Sequence, residues 1–383
     1  MKRRHLVLSG PAALAATMMS SFPSRATSPG NVIKFGQSAA LTGPQANYGR
    51  DIRDGIIAAF TAASAASAST GGPRFELVTL DDGGVRSRCS ENVSTLVEGG
   101  VSAIVGLTNG VAAEACIPLM NNNQMALLGT ASGNMGIRNA ASGGGAFHVR
   151  AGYDLEYKRM ANYIKDFGMR RIGYVYLRDT SPANLAAMTQ ALSALSIVPV
   201  ETIAVDRNAT SFTDVSTKLL DAKLDCVLFS VNSGPTATII NEMSTAHYAG
   251  LFYASSYAGQ DLMDALTTRK QSCIMSMVVP RPNSGSANVV SRCRQDLAAL
   301  GPDVKLGMTT LEGYIAGRIA VEAARAALKV GGGERVSRSR LKESLAALRT
   351  DLGGYRVEFA PGVTQGSQYV DLIAIDRYGR LVG

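Results

Sequence analysis

Two short polar loops are the stretches of this chain best suited to chemistry: Leu107-Thr108-Asn109-Gly110 and Thr130-Ala131-Ser132-Gly133. Each follows an apolar run. A helix start leaves N–H groups unpaired and carries a partial positive charge. Open parallel sheets bind ligands beyond the carboxyl ends of their strands. Both loops therefore suit a carboxylate. The same residues also fit plainer roles, Ser132 as a helix cap and Asn109 as a turn residue. Other chemistries find little support. There is no GxSxG elbow, no GxxxxGK[ST] and no GxGxxG after the first strand. Only His148 and His247 lie beyond the first 26 residues, which leaves acid–base catalysis poorly supplied. Cys89, Cys116, Cys226, Cys273 and Cys293 show no CxxC spacing, so neither a metal site nor a cofactor is expected.

The elements that must position these loops follow from the hydrophobic pattern. Strand patterns fall at 32–39, 74–80, 102–106, 125–129 and 146–150, with helical patterns at 48–66, 87–98 and 110–121 between them. A second series has strands at 171–177, 198–205, 225–231 and 250–255 and helices at 154–167, 183–195, 211–222 and 235–246. Such alternation predicts parallel sheets flanked by helices. Pro280-Arg281-Pro282 reads as a rigid crossing. Helical patterns return at 286–300, 309–329 and 337–348, and the tail reads as two strands around a Pro-Gly turn. In a sheet ordered 2-1-3 with right-handed crossovers, the helices carrying Cys89 and Cys116 share a face, so a disulfide between them is expected.

The N-terminus carries an export signal. Lys2, Arg3 and Arg4 precede an apolar run from Leu6 to Met19, and Ser24-Arg25-Ala26 offers a cleavage site. The run is too short to span a bilayer. Arg3-Arg4 also fits a loose twin-arginine pattern, and the choice of route stays open. No cysteine stands near the cleavage site, so the mature protein is expected free in the periplasm. The formal charge is +8. Four of the basic residues and no acids lie in residues 1–26, leaving +4 for the mature chain. That modest, scattered charge argues against nucleic acid as a partner.

Five phrases, in order, carry a family resemblance: Leu41-Thr42-Gly43-Pro44 before Tyr48-Gly49; Leu80-Asp81-Asp82; Ile104-Val105-Gly106 before a helix holding Pro118; Thr309-Thr310-Leu311-Glu312-Gly313-Tyr314; and Asp351-Leu352-Gly353-Gly354. Over residues 32–383 the chain resembles the Leu/Ile/Val-binding solute receptors of ABC importers, with the type 1 periplasmic binding fold. The resemblance implies two doubly wound α/β lobes joined by a three-strand hinge. It also implies a ligand held in the cleft, no catalysis, and closure recognised by permease subunits in the inner membrane. With the order of strands, it gives an N-terminal lobe of 32–151 with 281–352 and a C-terminal lobe of 152–280 with 353–383. A monomer is expected. A ligand-sensing receptor of the same fold is the alternative.

The resemblance also implies site residues. It places a carboxylate clamp at Asn109, Gly110, Ser132 and Gly133 and a side-wall aromatic at Tyr48, although Tyr48 also fits a staple on its helix. Asn232, Ser233 and Tyr257 are expected to cover the ligand on closure. Here the chain departs from its relatives. Gly110 stands where Ser or Thr is usual, and Asn232-Ser233 where aliphatic binders often have tyrosine. No carboxylate stands where an ammonium would be gripped. An α-amino group needs acceptors to offset its desolvation. The expected ligand is therefore an amino acid or another small carboxylate, with leucine, isoleucine and valine weakened as candidates.

Overall fold

The computed structural model describes residues 31–138, 145–332 and 336–382. The expected export signal and most of the Gly143–Gly145 tip lie outside the described residues. The first series folds as β1 (Val32–Ala39), α1 (Ala46–Ala68), β2 (Arg74–Asp81), α2 (Arg86–Glu98), β3 (Ala103–Val105), α3 (Gly110–Asn122), β4 (Leu127–Leu128) and β5 (Ala146–Phe147). Its five strands form a parallel sheet ordered β2-β1-β3-β4-β5. Ala103, Ile104 and Val105 are buried together, which is why this run is continuous rather than alternating.

The second series runs α4 (Tyr153–Asp166), β6 (Ile172–Leu177), α5 (Pro182–Ser193), β7 (Glu201–Val205), α6 (Thr213–Asp221), β8 (Cys226–Ser230), α7 (Ser233–Thr245), β9 (Leu251–Ala254), α8 (Gly259–Arg269) and β10 (Cys273–Met277). The chain then returns through α9 (Asn288–Ala298), α10 (Met308–Val330) and α11 (Arg338–Ala346). It ends with β11 (Arg349–Asp351), β12 (Arg356–Glu358), β13 (Asp371–Ile375) and β14 (Leu381–Val382). The second sheet is ordered β14-β13-β10-β9-β8-β6-β7. It is parallel from β7 to β10 and antiparallel beyond.

α1 and α10 pack backbone to backbone. A Cβ on Gly55 would lie 2.1 Å from the Thr310 carbonyl oxygen, and one on Gly313 would lie 2.2 Å from that of Ile52. Glycine at these two positions permits the approach. The late helix is thereby tied to the first lobe although more than two hundred residues separate it from α1.

Three expectations are corrected. The tail strands do not pair with each other: β12 pairs with β11 and β13 with β10. The Pro361-Gly362 turn closes only a local loop, with Ala360 bridging Val363. The tail from 353 therefore stays beside the first lobe, with Phe359 against Phe147, and enters the second sheet only at Asp371. The expected Cys89–Cys116 disulfide is absent: both are free, buried thiols, on α2 and α3. The helix adjacency holds. The Cys116 sulfur lies 3.7 Å from Ser90 Oγ.

A buried ionic cluster ties the lobes together. Arg150, on the crossing between β5 and α4, is fully buried. Its Nη2 donates to Glu156 of α4 at 2.5 Å and its Nη1 to Glu312 of α10 at 3.2 Å. Nη2 also meets Ser256 Oγ, while the other Glu156 oxygen accepts from Ser256 N and Ser276 Oγ. Burial pushes the Glu312 carboxyl up, and Arg150 pulls against it. Nearby, the Tyr355 hydroxyl lies 2.7 Å from the Val149 carbonyl and 2.9 Å from that of Val278, joining two crossings.

A second contact between lobes lies where α8 meets α1 and α10. Gln260 N donates to Thr309 Oγ1, and Gln260 Oε1 accepts from Met308 N. Asp51 of α1 sits here. Burial, then Asp261, Asp54 and Asp264, push its carboxyl to about 7, with Arg50 pulling the other way.

Two outcomes follow. Removing one partner of a buried ionic group leaves uncompensated charge, so Arg150→Met should lower unfolding free energy by about 3–5 kcal/mol in urea titration. A loss under about 1 kcal/mol, the scale of a surface pair, would contradict the role given to the cluster. For Asp51 the folded-state pKa lies above the unfolded one. The folded state then holds the proton longer, and stability falls as pH rises from 3.8 to about 7. Asp51→Asn should remove that slope, raising Tm above about pH 7 and leaving it unchanged below 3.8. Parallel Tm–pH profiles for the two proteins would refute this.

Candidate functional site

The site is built at the carboxyl ends of β3 and β4 and closed from the second lobe. Asn109 caps α3, its Oδ1 accepting from Val111 N at 3.1 Å and Ala112 N at 3.0 Å. A Cβ on Gly110 would fall 2.4 Å from Ser132 Oγ, so the two loops touch because residue 110 is glycine. Asn134 fastens them, donating from Nδ2 to Gly110 O at 2.8 Å and to Glu114 at 3.0 Å. Ser132 Oγ accepts from Asn134 N and lies 3.4 Å from the Tyr153 hydroxyl. Tyr153 and Tyr157, one turn apart on α4, stack with ring centroids 5.4 Å apart. Burial pushes both phenols up, so each stays protonated at neutral pH and can donate.

The second lobe supplies the opposite wall. Arg207, two residues past β7, forms a two-pronged pair with Asp179 at 2.9 and 3.1 Å. Its Nη1 lies 3.4 Å from the Tyr257 hydroxyl. Burial alone would lower its pKa, but Tyr257 and Asp179 hold it up, so it remains a cation. Contacts that cross the cleft include Asn184 Oδ1 accepting from Met135 N at 2.7 Å, Gln45 Nε2 donating to the Tyr257 hydroxyl at 3.2 Å, and Arg86 reaching Asp179 O at 3.4 Å. Together these walls line a narrow cavity of about 30 Å³, partly open to solvent.

Of the expected residues, Asn109, Gly110, Ser132 and Tyr257 line this cavity together. Tyr48 lies behind it. Its hydroxyl donates to Ala131 O at 2.7 Å and its ring meets Tyr257 edge-on. Gly133 also stands behind the lining, packed where a Cβ would strike the Tyr153 ring at 2.5 Å. Asn232 and Ser233 start α7 beyond it, and Ser230 reaches the cavity in their place. Sequence reasoning missed Arg207, Asn134, Tyr153 and Tyr157. The rule that selected the other loops would have found Arg207, which follows strand 198–205 at its carboxyl end. Among the described residues, no Asp, Glu, His or Cys lines the cavity. Buried His148 is elsewhere, its Nε2 3.1 Å from Ile137 O.

Among the described residues, no helix is long and apolar enough to cross a membrane. No curated protein matches the chain. Solved structures do. A Rhodopirellula baltica protein described as a possible leucine/isoleucine/valine-binding protein is 26% identical with TM-score 0.84, covering 92% of this chain and 97% of that one. A Thermus thermophilus branched-chain amino-acid ABC transporter protein with bound valine is 16% identical, TM-score 0.82, covering 92% and 95%. A Rhodopseudomonas palustris solute-binding protein in complex with 4-hydroxybenzoate is 17% identical, TM-score 0.77, again covering 92% and 95%. A family model described as periplasmic binding protein matches residues 32–379, and the chain belongs to that family.

Proposed function

We propose that this protein is the ligand-capturing component of an ABC importer. It is exported, works as a monomer in the periplasm, closes its two lobes on a small carboxylate and presents the closed form to permease subunits. The observation that carries this reading is the cavity shared by both lobes at the start of α3. The helix start and the Ser132 hydroxyl favour an anion there. Tyr257 and Arg207 reach it only from the other side, so a ligand touching both walls has differential affinity for the closed form. Valine and 4-hydroxybenzoate, bound by two relatives of the same fold, share a carboxylate and little else.

A thermal-shift screen over small carboxylates and amino acids should find compounds that raise Tm, because a ligand that binds only the folded state stabilises it. With the best of them, Ser132→Ala should weaken calorimetric affinity by about 1–2 kcal/mol, roughly 5–30-fold, for one lost hydrogen bond to a charged group. Tyr257→Ala should weaken it as well, through closure. If neither substitution changes affinity by about threefold, a difference of only ~0.7 kcal/mol, these loops do not form the site.

A further inference from the structure

Building on the proposed function, we infer that the ligand is a small dicarboxylate, one carboxylate on the Ser132 side of the cleft and the other on Arg207. A charge imbalance at the second-lobe end, and a buried guanidinium behind the Ser132 loop at the other, lead there. At the second-lobe end, Asp179 is shared by two guanidiniums, Arg207 at 2.9 Å and Arg86 at 3.9 Å. Two cations on one carboxylate leave an excess positive charge where the lobes meet. Arg207 uses Nε and Nη2 on Asp179. Its Nη1 has only the long contact to Tyr257, so it keeps donor capacity toward the cavity, and its side chain is 14% exposed.

The first-lobe end has a buried cation of its own. Arg138 lies behind the Ser132 loop and donates to the Ser132 carbonyl at 3.2 Å. Its other hydrogen bonds go to the carbonyls of Arg150 and Ala151 and to Gln365 Oε1. Among the described residues no carboxylate lies within ion-pair distance of it, although Asp154 and Glu156 support its charge from farther away. Glu114 is engaged by Asn134 and does not line the cavity. Carboxylates reach this cation only at longer range, so an anion at Ser132 is met by a guanidinium behind the loop, whereas a cation there is repelled. An ammonium has the opposite prospects. It would find no carboxylate on the lining and a guanidinium facing it. The stacked rings of Tyr153 and Tyr157 flank the space between the two ends, which favours a short or planar spacer.

The test is calorimetric titration of the mature wild-type chain with dicarboxylates of short aliphatic or aromatic spacer, with their monocarboxylate counterparts, and with valine. The best dicarboxylate should bind at least about tenfold tighter than its monocarboxylate, the scale of one charge-assisted contact. Arg207→Gln should erase that preference, whereas Arg207→Lys, which keeps the charge, should retain part of it. Circular dichroism of both variants checks folding, and the wild-type ranking needs neither. A monocarboxylate or valine binding as tightly as every dicarboxylate overturns the dicarboxylate inference and leaves the capture function standing. An unchanged preference in Arg207→Gln also overturns it. Failure of every carboxylate to bind overturns both.

Discussion

The contact on which the two-lobed arrangement depends is the buried Arg150 guanidinium and its two carboxylates. Arg150 sits on a crossing, Glu156 on the second lobe's first helix, and Glu312 on the helix that returns to the first lobe. A guanidinium with no exposure to solvent tolerates little displacement, because losing either partner leaves charge in a dry interior. Ser256 and Ser276 complete its shell from the second sheet. The crossings are thus held by a buried cluster and by Tyr355 beside it, while the contacts across the mouth of the cleft are isolated hydrogen bonds and partly exposed pairs. That asymmetry suits a molecule whose lobes part and meet about a fixed pivot.

The cleft chemistry follows from what the pivot holds in place. α4 begins just past Arg150, so Tyr153 and Tyr157 enter the cavity from a helix anchored by the same cluster. Arg138 links the crossing to the binding loop, donating to Arg150 O and Ser132 O, both at 3.2 Å. Among the described residues, the charge on the cavity lining is the positive one of Arg207, and no carboxylate lines it. In the proposed reading an anionic ligand supplies the complementary charge, and closure would strengthen its contacts by excluding water.

Much of the fold was legible. Regular alternation of apolar runs and helical patterns placed most strands and helices within a few residues, because buried parallel strands leave a simple signal. β10 was not legible: Cys273-Ile274-Met275-Ser276-Met277 is poor in β-branched residues, and its pairing with β13 joins segments about a hundred residues apart. The first-lobe loops were legible because their position after a strand implies their role. Arg207 was legible by the same rule and was passed over; Arg138 was not legible, since an arginine in a loop reads as surface charge until the fold buries it. Arg150 had no local signal at all; its partners lie 6 and 162 residues away.

Solution scattering tests the central claim, ligand capture by closure, most directly. The mature protein is measured alone and then with a saturating amount of the carboxylate that most raises its Tm. The cross-cleft contacts are few, so the free protein should populate an open form, and ligand should lower the radius of gyration toward that calculated for the closed structure. Superimposable curves with and without saturating ligand would contradict capture by closure.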